Sequence, residues 1–182
     1  MSTTLATTAR ARFWTRRRWL GGVVAGGFAI GAAAQQEGVS PRVAQVPAPL
    51  DWPRLQLIDG SIVAPEQWAG APAVVVFWAT WCAFCRRHNA HIDQLFRSLG
   101  GSGPRVLGVA MDGDVAAVRR YMQANGYGFP VVLDEGKLRY RFTARRVVPM
   151  TCLVDRLGHV RQCIPGEMSE SDVLALPRAL AV

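Results

Sequence analysis

A run of seven apolar residues, Ala73 to Ala79 (AVVVFWA), passes almost directly into a helical pattern that opens on two cysteines, Cys82 and Cys85. A continuous apolar, β-favouring run of this length suits a central strand buried on both faces. From Cys82 the period changes. Cys85, Asn89, Ile92, Phe96 and Leu99, with His88 and Leu95 alongside, form a stripe at helical spacing, and Gly100-Gly101 stops it. If the strand ends near Ala79 and the helix starts at Cys82, the first cysteine lies at the helix N-cap. Unpaired N–H groups and the positive end of the helix dipole there favour a thiolate. One helical turn brings the two Cα atoms to about 5.5 Å, within disulfide range. The pair then offers an accessible nucleophile, Cys82, and a sheltered partner, Cys85, able to resolve a mixed disulfide.

The rest of the chain fixes the surroundings of that junction. Leu55 to Val63 (LQLIDGSIV) reads as a short hairpin about Asp59-Gly60, and PEQWAG as one helical turn. RVLGVAM is the next strand, Asp114 caps a helix to about Asn125, and FPVVLD is a further extended piece. GKLRYRF reads as helical, MTCLVD and HVRQCI as a hairpin across Arg156-Leu157-Gly158, and Ser169 opens a last helix containing Pro177. Strands and helices alternating before a terminal hairpin predict an α/β domain: a central mixed β-sheet flanked by helices on both faces, with an N-terminal hairpin extension.

The N-terminus has another character. Residues 1–34 hold five of the 21 Lys+Arg and none of the 13 Asp+Glu, so most of the formal net charge of +8 belongs to the leader. The body is only modestly basic, which argues against nucleic acid as a partner, and Arg139, Arg141, Arg145 and Arg146 read as a solvated helix end. Leu20 to Ala34 is uncharged and ends in small residues, as an export signal does. A helix of that length reaches about 22 Å, short of the roughly 30 Å of a hydrocarbon core. Residues 1–34 are therefore a signal peptide cleaved after Ala34, or a membrane anchor extended by flanking residues. TRRRWL (Thr15 to Leu20) resembles a twin-arginine export motif. Residues 35–54, rich in Pro and small polar residues, read as a linker, and the folded domain as 55–182.

Four readings of the Cys82/Cys85 pair compete. A metal-binding or copper-handling module would use Cys82, Cys85 and His88, but a zinc site wants a second ligand pair, and both His88 and His91 belong to the same short helix. Haem attachment needs His directly after the second Cys, where Arg86 stands. A purely structural bridge does not require the strand-to-helix placement. A redox pair does, and it calls for neither metal nor cofactor. In an exported chain disulfide chemistry is permitted.

FWATWCAFC and VVPMTCLVDRLGHV together resemble the thioredoxin superfamily, specifically its TlpA-like, exported bacterial branch, over roughly Leu55 to Leu180. The resemblance implies a thioredoxin-like fold and a thiol-disulfide oxidoreductase, working in the periplasm or anchored to the inner membrane facing it. It implies catalytic Cys82 and Cys85, a substrate surface at Trp81, Val148 and Pro149, and a cis bond before Pro149. Its partners would be exported proteins with disulfides or thiols, apocytochrome c among them, and a membrane thiol reductant. Four positions depart from common patterns of the superfamily. Phe84 stands where many members have Pro, Ala90 where a helix-kinking Pro is usual, Val76 where thioredoxins proper carry a buried acid, and His88 where many cytochrome-maturation members have Glu. Two expectations follow: the Phe84 and Cys85 amides both donate to the Cys82 sulfur, and His88 is a candidate proton acceptor for Cys85. If Val154 lies opposite His159 in the terminal hairpin, Cys152 and Cys163 are diagonal neighbours, and a second, structural disulfide needs twist or a bulge to close.

Overall fold

In a computed structural model, residues 48–134 and 138–181 are described; the leader, and residues 35–47 of the expected linker, lie outside them. Strands β1 (Leu55–Gln56) and β2 (Ile62–Val63) pair antiparallel, with Leu55 opposite Val63. Gly60 takes the positive φ of 94° that their turn needs, and Asp59 Oδ1 accepts from the Ser61 amide. A 3-10 turn at Pro65–Gln67 follows. β3 (Ala73–Trp78) is buried at all six positions, as its unbroken apolar run requires. Then come α1 (Ala83–Leu99), β4 (Arg105–Ala110), α2 (Val115–Asn125), β5 (Val131–Leu133), α3 (Arg139–Phe142), β6 (Met150–Val154), β7 (Val160–Pro165) and α4 (Glu170–Ala179).

The five-stranded sheet runs β5-β4-β3-β6-β7. β3, β4 and β5 are parallel, joined by α1 and α2, while β6 and β7 return antiparallel, so the sheet is mixed as expected. Alternation along β3 divides the core. Val74, Val76 and Trp78 pack with α1 (Cys85, Ile92), α2 (Val118, Met122) and α4 (Val173, Leu176). Ala73, Val75 and Phe77 face Trp52, Trp68, Leu138 and the α3 residue Phe142. Among the described residues no helix is long and apolar enough to cross a membrane.

Two expectations are corrected. The last residues of the expected linker are packed: Trp52 is buried and stacks on Trp68 at 4.9 Å, and the Leu50 amide donates to the Gly158 carbonyl. Pro-rich composition reports the lack of a regular period, but an extended segment can still dock through one large aromatic side chain. The second correction concerns the terminal hairpin. Val154 pairs with Val160 and Leu153 with Gln162, so Arg161 is an extra residue in a bulge. Asp155 closes the turn, its Oδ1 accepting from the Leu157 and His159 amides. The bulge brings Cys152 directly opposite Cys163, and the two form a disulfide with Cα atoms 4.1 Å apart.

Candidate active site

The site begins where β3 runs out. Ala79 is still buried, its carbonyl accepts from the Cys82 amide at 3.2 Å, and α1 starts one residue later. Cys82 is the N-cap, and its sulfur accepts from the Cys85 amide at 3.2 Å. The two sulfurs are joined, with Cα atoms 5.3 Å apart, close to the spacing that one helical turn dictates. Cys82 keeps 9% exposure and Cys85 none, so only Cys82 can meet a second protein.

Opposite Cys82 stands the loop before β6. The Val148–Pro149 peptide bond is cis, and the Val148 carbonyl oxygen lies 3.7 Å from the Cys82 sulfur. The Pro149 carbonyl accepts from the Gly166 amide, which ties this loop to the end of β7. Trp81 (72% exposed), Phe84 (61%) and Val147 (47%) are three of the six large hydrophobic side chains left exposed among the described residues. All three lie within two residues of Cys82 or directly beside Val148, which makes an apolar rim around the disulfide.

Sequence reasoning missed Asp112, just past the end of β4. Its carboxylate accepts from both the Thr80 amide and the Thr80 hydroxyl, and so fixes the three-residue link between β3 and Cys82. Only the parallel pairing of β3 with β4 brings these residues together, across 32 positions of sequence, and no local signal announces it.

His88 is placed differently from its expected role. It is fully buried, its Nδ1 accepts from the Met168 amide at 3.2 Å, and its Nε2 lies 2.9 Å from Thr151 Oγ1. Because an amide can only donate, Nδ1 carries no proton in this arrangement; the neutral ring holds its proton on Nε2 and donates it to Thr151. Burial, aided by repulsion from His91, pushes the pKa down to about 4, against a weaker pull from Glu167. A ring with both nitrogens occupied by Thr151 and Met168 is poorly placed to take a proton from Cys85. It pins α1 to β6 and to the segment before α4, where Arg87 also grips Glu167 through two bonds of 2.7 Å. Among the described residues no three His, Cys, Asp or Glu side chains converge to hold a metal. The expectation for Phe84 is also corrected: among the described hydrogen bonds the Cys85 amide donates to the Cys82 sulfur and that of Phe84 does not.

Residues 50–163 match the model of the AhpC/TSA family. The chain belongs to the AhpC/TSA family. Its fold is thioredoxin-like, as the resemblance implied. The structure of a thiol:disulfide interchange protein, a thioredoxin family protein from Chlorobium tepidum, superimposes with a TM-score of 0.69 at 23% identity, over 75% of this chain and 97% of that one. The MTB dsbF structure gives 0.62 at 28% identity, over 74% of this chain and 98% of that one. Among curated relatives, thiol-disulfide oxidoreductase ResA of Geobacillus kaustophilus is 27% identical over 108 residues, 59% of this chain and 62% of the relative. The match thus spans less than two thirds of that relative's length. In this AhpC/TSA chain the junction of β3 with α1 carries the thiol pair.

Proposed function

We propose that the protein is an exported thiol-disulfide oxidoreductase that reduces disulfides of other exported proteins, with apocytochrome c a candidate client. The observation that carries this reading is the asymmetry of the pair: Cys82 sits at a helix N-cap, 9% exposed and beside the Val148 carbonyl, while Cys85 is fully covered. In the reduced protein the N-terminal dipole and the Cys85 amide favour the Cys82 thiolate. That thiolate attacks a client disulfide, one client sulfur leaves, and Cys85 then displaces the other, closing the Cys82–Cys85 bond. A membrane thiol reductant reopens it. The client chain lies along Val147 and Val148 as an added strand, with Pro149 shaping the loop and Trp81 and Phe84 covering its apolar residues. The relatives named thiol-disulfide oxidoreductase ResA support the reaction class. The basic, then apolar, leader supports export to the periplasm, by cleavage or as an anchor.

Insulin-disulfide reduction with dithiothreitol as donor tests the reading. The wild-type chain accelerates precipitation, Cys82→Ser does not, and Cys85→Ser accumulates a mixed disulfide with the client. A wild-type chain without activity would overturn the proposal.

A further inference from the structure

One turn beyond Cys85, helix α1 buries an amide with nothing to bond. Asn89 is fully buried, and among the described residues neither its Nδ2 nor its Oδ1 has a hydrogen-bond partner. An unpaired buried amide is unfavourable, because burial strips it of its hydrogen bonds to water and nothing takes their place. On a helix, position i+4 lies beside i, and side chains lean toward the N-terminus, so the Asn89 amide lies over the turn that holds Cys85. In the disulfide the Cys85 sulfur is tied to Cys82 and is a weak acceptor. Reduction frees it to rotate and turns it into a thiol, which donates weakly, or a thiolate, which accepts strongly. An amide can answer both forms: Oδ1 accepts from S–H and Nδ2 donates to the thiolate.

We infer that Asn89 is the hydrogen-bonding partner of reduced Cys85, unpaired in the oxidised protein and satisfied when the disulfide opens. This rests on the thiol-exchange reading above. The ionisable groups around this end of α1 are Arg86, Arg87, His88 and His91, Asp93 one turn beyond Asn89, Glu167 before α4, Tyr121 on α2, Tyr127 after α2, whose hydroxyl donates to the Arg86 carbonyl, and Asp112 after β4. Arg87 and Glu167 hold each other, Asp112 holds Thr80, His88 holds Thr151 and Met168, and His91 Nδ1 donates to the Met168 carbonyl. The Tyr121 hydroxyl and the Trp78 indole N–H are also unpartnered, and they belong to α2 and β3, their rings 5.2 Å apart and tilted, rather than to α1.

In the resolving step the Cys85 thiol loses its proton to solvent at the opened Cys82 side. The thiolate attacks the Cys82 sulfur, the Cys82–Cys85 bond forms, and the bond from Cys82 to the client breaks. The client leaves as a thiolate and takes a proton from water. The client disulfide is the oxidant, and the Asn89 N–H makes the first of these events easier by stabilising the Cys85 thiolate.

Full-length protein carrying Cys82→Ser isolates the Cys85 thiol, whose ultraviolet thiolate absorbance is titrated with and without Asn89→Leu. The substitution raises the Cys85 pKa by about one pH unit, a tenfold loss of thiolate below the midpoint. With both cysteines present, equilibration against dithiothreitol buffers finds the reduced form disfavoured about tenfold, equivalent to about 30 mV. The oxidised variant melts no lower than wild type, since it loses an unpaired amide. Tyr121→Phe shifts neither pKa nor potential. If Asn89→Leu does not fold, Asn89→Ala carries the same expectations for pKa and potential. An unchanged pKa and potential, or an equal shift from Tyr121→Phe, overturns the inference. A wild-type chain without disulfide exchange overturns the proposed function instead, while the Cys82→Ser titration needs no turnover and still decides what Asn89 does.

Discussion

Cys82–Cys85 and Cys152–Cys163 differ in what holds their sulfurs. The first spans a single turn at the start of a helix, packs in the core cluster of the α1 face, and leaves one sulfur at a loop junction. The second joins directly opposed residues of two antiparallel strands and packs in the cluster on the other face of the sheet. A helix N-terminus offers unpaired N–H groups and a dipole that stabilise a thiolate, whereas a strand pair has almost no net dipole. Bonding two cysteines is the same covalent event in both places. Only at the helix start does the backbone also favour the bond's opening.

The largest effect that would break this comparison is on activity. Cys82→Ser lowers insulin-disulfide reduction by about a thousandfold or more, as removal of an essential nucleophile does. The double variant Cys152→Ala with Cys163→Ala stays within about threefold of wild type. A double variant as inactive as Cys82→Ser would mean that both disulfides belong to one electron path.

Next in size is stability. The second bridge closes a loop with a sequence separation of 11. In the chain-entropy account that contributes about 3 kcal/mol, by constraining the unfolded state. Thermal denaturation of the Cys152→Ala, Cys163→Ala protein should show a midpoint lower by roughly 10 °C. A change under about 2 °C would show that the ladder between β6 and β7 holds without its bridge.

Much of this contrast was legible before the fold was known, and the residues show why. The β3–α1 junction is local: a run buried on both faces, a change of period and two cysteines one turn apart are all visible within 27 residues of sequence. The 152–163 geometry turns on a single extra residue, Arg161, and a bulge leaves no mark in a pattern of alternating polarity. Trp52 was hidden by its proline-rich neighbours and Asp112 by its distance in sequence from Thr80. His88 was legible as a neighbour of the apolar stripe of α1, but not as fully buried. Its partners, Thr151 and Met168, are supplied by other elements 63 and 80 residues away.

That histidine makes a prediction about the bond between the two regions. Its folded-state pKa, pushed down to about 4, lies below the ordinary 6.5. As pH falls the unfolded chain therefore takes up the proton first. The stability of the neutral buried ring is complete above pH 6.5 and is lost as pH falls toward 4. About 2 kcal/mol of it should go between pH 6.5 and 5, before most carboxylates titrate. Denaturant unfolding at those two pH values checks this: His88→Gln, less stable at pH 7, should lose markedly less over the same interval. Equal losses would mean that the ring is not what senses acid.

The smallest expected effect asks whether the two disulfides are mechanically linked. Thr151, which accepts from His88 Nε2, is the residue before Cys152 on β6, so one peptide separates the anchor of the redox helix from the sheet bridge. Successive residues of a strand point to opposite faces, and the packing agrees: Cys152 joins the cluster on the α3 face while Thr151 meets α1. Thr151→Val keeps the shape and removes the acceptor, leaving a buried N–H unpaired at a cost of about 1 kcal/mol. Combined with loss of the Cys152–Cys163 bridge, its effect should add to within about 0.5 kcal/mol, as independent sites do. A coupling above about 1 kcal/mol in that cycle would show β6 passing strain from one face to the other. The second disulfide would then be part of what positions the first.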